Sequence, residues 1–290
     1  MKDSIRVAAI NVESKPGETG RNLERIAAWA DKAAAEGVEL ALFPELSLTG
    51  FIPNHPLSDH AAWMREAVAQ ARRVAAPLDG QAVKTLSEIA VSKKIHLSAG
   101  ILEDAGNLLH NTQILAGPDG RIWHWRKLHV PIFETPFYNG GVKLDVAATE
   151  LGRIGSNICF DTLLPESTRL LAVQNVELVL FPFAADPPPG TVAGWAAWAV
   201  TALRARCAEN GVFGIACNYA GEVEFCGLKQ AFPGGAMILG PSGEVLAENR
   251  TDGAGMLIAD LKRETLLDAQ AAPEYLYRFR RPKLYGPLAK

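Results

Sequence analysis

Three residues combine a reactive type with an abrupt position in the chain. Cys159 closes the apolar run of "NICFDTLLPE" (157–166), Glu45 ends "LALFPE" (40–45), and Lys127 follows the aromatic stretch of "WHWRKLHVP" (123–131). Taken singly, each has an ordinary role. A free cysteine most often packs as a small hydrophobe, and a lone Glu or Lys at a strand end most often meets water. Together they form a kit for attack on an amide or nitrile carbon. A thiol needs a base to become the reactive thiolate, and Glu45 can take the proton. The developing oxyanion needs a fixed donor, and Lys127 can supply it, so neither metal nor cofactor is expected. One alternative stays open. His129 lies two residues from Lys127 and shares its face on a strand, so a Cys159–His129 pair is the competing arrangement.

These positions require strands that end together. Apolar runs at 5–12, 38–43, 95–102, 153–160, 176–183 and 212–218 read as strands, the short ones covered on both faces. Helical spacing is seen at 22–37, ending at Gly37, at about 61–75 and 81–94, at 165–175 behind Pro165, and at about 195–210. A polar loop is expected around Pro53–Asp59, and hairpins around Pro118–Gly120 and Pro241–Gly243. Two pairs of segments repeat in the same order. "VELALFPE" (38–45) matches "VELVLFPF" (176–183) at six of eight positions, and "ILAGPDGRI" (114–122) resembles "MILGPSGEV" (237–245). Two similar halves within one α/β domain are therefore expected. At the equivalent strand end one half has Glu45 and the other Phe183. Strand C-termini are where α/β folds place their chemistry, so the carboxylate stands out.

The bulk numbers exclude several classes. The 290 residues are 48% hydrophobic and 21% charged, with a net charge of −3. This suits a globular protein and offers no basic patch for nucleic acid. The 4 cysteines (Cys159, Cys207, Cys217, Cys226) are sparse and lie in apolar surroundings, which fits a reduced compartment. The last three are expected to be structural. Asn11 and Glu13 interrupt any signal-peptide core, and the apolar stretch 192–203 is too short to span a bilayer. A cytoplasmic location without membrane contact is expected.

Three segments, "FPELSLTGF" (43–51), "RKLHVP" (126–131) and "NICFDTLLPE", resemble the signature segments of the nitrilase superfamily, the carbon–nitrogen hydrolases. "RARCAENGVFGIACNYAG" (204–221) and "FPGGAMILGPSGEVL" (232–246) are similar to its later segments. The resemblance spans roughly residues 5–260. It implies an alpha-beta-beta-alpha sandwich and a Glu45–Lys127–Cys159 triad with Glu45, not His129, as base. It also implies a second glutamate, matched by Glu134 before "TPFYNGG", and the Phe160 backbone N–H in the oxyanion hole. Ala184, Ala185 and Trp195, in and after the loop "AADPPPGT", are candidate pocket residues, and Trp198 lies nearby. A catalytically idle binding protein and an acyltransferase on the same fold are the readings from other classes.

The residues after the cysteine bear on substrate. Nitrilases of the superfamily tend to have Trp-Glu there, and this chain has Phe160-Asp161. Hydrolases of N-carbamoyl amino acids tend to have arginines soon after, matched to the substrate carboxylate by their fork geometry. Here those positions are Thr162, Leu163 and Leu164, Arg169 comes later, and the following loop carries only Asp186. A neutral, small primary amide is expected, because an unpaired carboxylate is costly to bury. A cation from Arg278, Arg280 or Arg281 would change this. A domain over 1–265 is expected, followed by an aromatic, basic tail at 266–290 that packs on a partner subunit of a homodimer or larger homo-oligomer.

Overall fold

The apolar runs become two sheets lying face to face, each backed by helices. The computed structural model describes residues 1–52, 60–225, 227–249 and 251–289. The expected Pro53–Asp59 loop and Cys226 lie outside the described residues.

The first half contains β1 (Ser4–Asn11), α1 (Thr19–Ala35), β2 (Leu40–Leu42), α2 (His60–Val74), α3 (Gln81–Lys93), β3 (His96–Asp104), β4 (Leu109–Ala116) and β5 (Ile122–Arg126). The second contains β6 (Ala147–Ala148), β7 (Arg153–Ser156), a 3-10 turn at Cys159–Leu163, α4 (Pro165–Ala172), β8 (Leu178–Phe183), α5 (Val192–Asn210) and β9 (Phe213–Asn218). It continues with β10 (Ala220–Phe225), β11 (Leu228–Pro233), β12 (Ala236–Leu239) and β13 (Val245–Asn249). Then β14 (Gly255–Lys262) returns to the first sheet, and α6 (Arg263–Ala271) follows.

The sheet orders are β14-β1-β2-β3-β4-β5 and β13-β12-β9-β8-β7-β6. Each has three parallel strands at its centre, an antiparallel pair beyond the third, and one antiparallel edge strand. The two halves thus share one plan, as the repeated segments imply. The β10–β11 hairpin, β14 and α6 carry no pattern picked out in the sequence.

Strand period 2 explains the layers. In β1, Ile5, Val7 and Ala9 pack between the sheets with Leu178, Leu180 and Ile215, while Ala8 and Ile10 pack under α1 and α3 with Ile26 and Leu86. In β8, Val179, Phe181 and Phe183 turn the other way, toward α5 residues Ala199 and Leu203. Both faces of each central strand are covered, so the runs are apolar throughout. The result is the alpha-beta-beta-alpha sandwich that the sequence implies. α5 starts at Val192, earlier than expected, because Thr191 Oγ1 accepts from Gly194 N at 3.1 Å as an N-cap. Among the described residues, no helix is long and apolar enough to cross a membrane.

α6 crosses the expected 265/266 boundary, and Leu266 packs into the inter-sheet core. The chain beyond it lies against α4 and α5 of the same molecule. Tyr275 Oη donates to Asn210 O at 3.1 Å, Tyr277 Oη donates to Ala172 O at 3.4 Å, and the Arg169 guanidinium stacks over Tyr277 at 5.4 Å. Leu276, Phe279, Leu284 and Leu288 remain exposed.

Candidate active site

Glu45 stands three residues past β2. Phe43 N still bonds Ser98 O at 2.8 Å, and Leu46 then turns the chain with φ +54°. The turn lies directly on β3. A Cβ on Gly100 would fall 2.1 Å from Leu46 N and 2.8 Å from the Glu45 carbonyl carbon, so only glycine permits this approach. Glu45 is fully buried. Its Oε1 accepts from Asn111 Nδ2 at 2.6 Å and Lys127 Nζ at 2.8 Å, and its Oε2 accepts from Ala184 N at 2.9 Å.

Lys127 follows β5 directly. Its N donates to Asn111 O, and its O accepts from Gly141 N, both at 2.8 Å. Asn111 therefore holds Lys127 through its backbone and Glu45 through its side chain. Glu134, buried in the turn after Pro131, closes the other side: Lys127 Nζ donates to its Oε2 at 2.8 Å and its Oε1 at 3.0 Å. Burial opposes the Lys127 charge, but Glu134 and Glu45 outweigh it and raise its pKa well above the usual lysine value. Burial likewise raises Glu134, to about 7, with Lys127 opposing and Glu45 reinforcing the shift. The Tyr138 hydroxyl, one turn beyond, is pushed up by burial and by the same two carboxylates.

The strand expected over 153–160 stops at Ser156, and Cys159 opens the 3-10 turn with φ +45°. The buried Asp161 carboxylate accepts from Ile158 N at 3.1 Å and curls the chain away from the ladder. Positive φ at a non-glycine residue is rare and stores strain. Cys159 is 9% exposed. Burial raises its thiol well above the ordinary value, Glu45 adds to this, and Lys127 opposes it. The resting sulfur therefore keeps its proton and needs a base. The Ala184 N–H that donates to Glu45 Oε2 also favours the Cys159 thiolate, as the smallest of the influences on it. Phe160 follows in the turn, where the first N–H groups lack partners within the turn.

The candidate pocket residues separate. Ala184 is at the site, and Ala185 is pinned beside it, its N–H donating to Asn218 Oδ1 at 2.9 Å. Trp195 is fully buried against Phe183, ring centroids 5.8 Å apart, in the apolar cluster that contains Cys159, and Trp198 is half-buried at 5.9 Å from Phe183. The His129 ring is bonded to Asp161 Oδ1 at 2.9 Å, which raises its pKa above the usual imidazole value. Cys207 and Cys217 are buried in the core. Asn111, Tyr138 and Gly100 are not singled out in the sequence, and Asp161 enters there only through the substrate comparison of Phe160-Asp161 with Trp-Glu. In "LHNTQILA" Asn111 is one of four consecutive polar residues, His110 to Gln113, so the strand's composition does not set it apart.

A fold of this plan, with a buried Glu–Lys pair beside a cysteine, defines a class of hydrolase. The carbon–nitrogen hydrolase family model matches residues 6–270, and the chain belongs to that family. An (R)-stereoselective amidase of Pseudomonas sp. is 28% identical, over 94% of this chain and 90% of that protein. A nitrilase of Pyrococcus abyssi is 27% identical over 84% of each. Among solved structures, a carbon-nitrogen hydrolase from Helicobacter pylori G27 superposes with a TM-score of 0.80 at 22% identity, over 99% of both chains. An amidase from Nesterenkonia sp. superposes with a TM-score of 0.74 at 26% identity, over 99% of this chain and 98% of that one.

Proposed function

We propose that this carbon–nitrogen hydrolase is an amidase that converts small, neutral primary amides to carboxylic acid and ammonia through a Cys159 thioester. The observation that carries this reading is the buried Lys127 ammonium, held between Glu45 and Glu134 next to a protonated thiol. Glu45 takes the Cys159 proton as sulfur bonds to the amide carbon. The carbonyl π pair moves to oxygen, held by Lys127 and the Phe160 N–H. Glu45 returns the proton to nitrogen as the C–N bond breaks, and ammonia leaves. Water then adds to the thioester, giving its proton to Glu45, with Glu134 beside it. Collapse breaks the C–S bond, the acid leaves, and the thiol regains its proton.

The relatives support a nucleophilic cysteine. In a Glu-to-Gln mutant of the Nesterenkonia amidase, 25% identical here, acrylamide has undergone Michael addition at the active-site cysteine. The neutral-substrate preference rests on Thr162, Leu163 and Leu164 after the nucleophile, and on Arg169 being engaged with Tyr277. Within this chain, Arg278 and Arg280 also lie against tail tyrosines, Tyr275 and Tyr277. Nitrile hydrolysis is the second reading, favoured by the nitrilase among the relatives; N-carbamoyl amino acids are the third substrate class. Ammonia release from an aliphatic amide, the matching nitrile and an N-carbamoyl amino acid of similar size decides between them. The amide should give the highest kcat/KM. A preference of about tenfold, roughly 1.4 kcal/mol, for either competitor overturns the assignment. Release in water without an added amine excludes an obligate acyltransferase.

A further inference from the structure

We propose that Asp161 is a positioning residue for this reaction: its carboxylate bonds the backbone segment that carries Lys127 to the turn that carries Cys159. The inference rests on the amidase reading for its kinetic test and on geometry for the rest. Asp161 is 1% exposed. Its Oδ1 accepts from His129 N at 2.8 Å and from the His129 ring at 2.9 Å, and Leu128 N donates to both oxygens at 3.2 Å. Its Oδ2 also accepts from Ile158 N at 3.1 Å, directly before the nucleophile. One side chain thus gathers donors from 128–129, just past Lys127, and from 158, just before Cys159. The two segments belong to different sheets, and no strand ladder joins them.

Only a carboxylate fits this role. Backbone N–H groups converge on both of its oxygens, and an amide would turn its own NH2 toward one set of them. Lys127 itself is fixed from the other side by Asn111 O and Gly141 N. The Asp161 bonds complete that hold and set the ammonium where the Cys159-borne oxyanion forms. A displacement of about 1 Å at such a centre costs roughly a hundredfold in rate.

Two variants separate the clamp from its charge. Asp161→Asn removes charge and one acceptor; Asp161→Glu keeps both and shifts the two segments. Ammonia release from an aliphatic primary amide is expected to show kcat lowered roughly a hundredfold in Asp161→Asn, with KM changed less than about threefold and cooperative unfolding retained. Lys127, Glu45 and Asp161 are the charges acting on Glu134. The acid limb of kcat/KM should therefore move to lower pH in Asp161→Asn and stay in place in Asp161→Glu. Alkylation of Cys159 by iodoacetamide, read by intact mass, needs no amide substrate and should slow about tenfold in Asp161→Asn.

If the parent protein hydrolyses no amide but alkylation slows as stated, the amidase reading fails and the clamp stands. Parent-like kcat and alkylation in Asp161→Asn overturn the clamp. So does a loss that tracks lowered thermal stability, with KM rising alongside and the acid limb unmoved. Should Asp161→Asn fail to fold, Asp161→Glu decides: a fall in kcat at unchanged KM supports the clamp, and parent kinetics refute it.

Discussion

Replacing Cys159 with alanine is expected to abolish turnover and leave the fold intact, because the side chain is small and already at the edge of its cluster. Cys207→Ala and Cys217→Ala should keep activity, and intact mass after a brief reaction should place any acyl adduct on Cys159 alone. Lys127 tests the opposite case. Lys127→Ala leaves two buried carboxylates without their cation, so it should lose roughly two to three orders of magnitude in kcat and about 3–5 kcal/mol in stability by denaturant titration. Lys127→Arg should not rescue it, since a planar fork does not replace a point charge in a closed site. Fully active Lys127→Arg refutes the oxyanion role. Glu134 is expected to set the pH dependence. Its pKa is raised by burial to about 7, so kcat/KM should climb as pH rises through 7 if the carboxylate form is the active one. The sign for stability is the reverse: a carboxyl raised by folding favours the fold below its unfolded value and loses that contribution as pH rises through 7. Glu134→Gln should remove the inflection near 7 from the rate profile.

At the scale of elements, the site is built where loops leave the ends of two sheets. β2 delivers Glu45, β5 delivers Lys127, the chain after β7 delivers Cys159, and β8 delivers the Ala184 N–H. Two tight turns, at Leu46 and Cys159, hold positive φ to aim side chains out of the strand directions. The first of these depends on Gly100. Gly100→Ala forces a Cβ into the backbone of the Glu45 turn, so it should lower kcat well beyond its effect on KM. It should also cost about 1–3 kcal/mol in stability, as overpacking does. Equal kcat in this variant would show that the turn adapts freely.

At the scale of the molecule, the pseudo-repeat makes an asymmetric site from similar halves. Where the first sheet has Glu45, the second has Phe183, whose ring packs on Trp195 and Trp198 in the apolar layer that contains Cys159. The tail is the second feature at this scale. Tyr275 and Tyr277 anchor it on α4 and α5, and its exposed Leu276, Phe279, Leu284 and Leu288 face outward. We propose that this apolar exterior joins copies of the chain, since contiguous exposed apolar patches favour association. Deleting residues 275–290 should lower the sedimentation coefficient to that of a smaller assembly; an unchanged oligomer refutes this.

The sequence by itself determined the layers and the candidate site residues. Strands apolar at every position must be covered on both faces, so 5–12, 38–43 and 176–183 already imply sheets between helices. The reactive types at strand ends, in segments resembling the superfamily's signatures, named Glu45, Lys127, Cys159 and Glu134 before any contact was known. Local pattern could not reveal what depends on contacts between distant segments. Asn111 is one of four adjacent polar residues in β4 until Glu45, 66 positions away, accepts its amide. Asp161 reads as an ordinary acidic residue until the chain after β5 reaches it, and Gly100 as an ordinary strand glycine until Leu46 rests on it. The break after Ser156 was equally invisible, because "RIGSNICF" has strand composition to its end and only the Asp161 carboxylate turns it. β14 was missed because its partner, β1, lies at the far end of the chain. Tertiary structure alone decides these, since each is a bond or close approach whose free energy exists only once the two sheets have met.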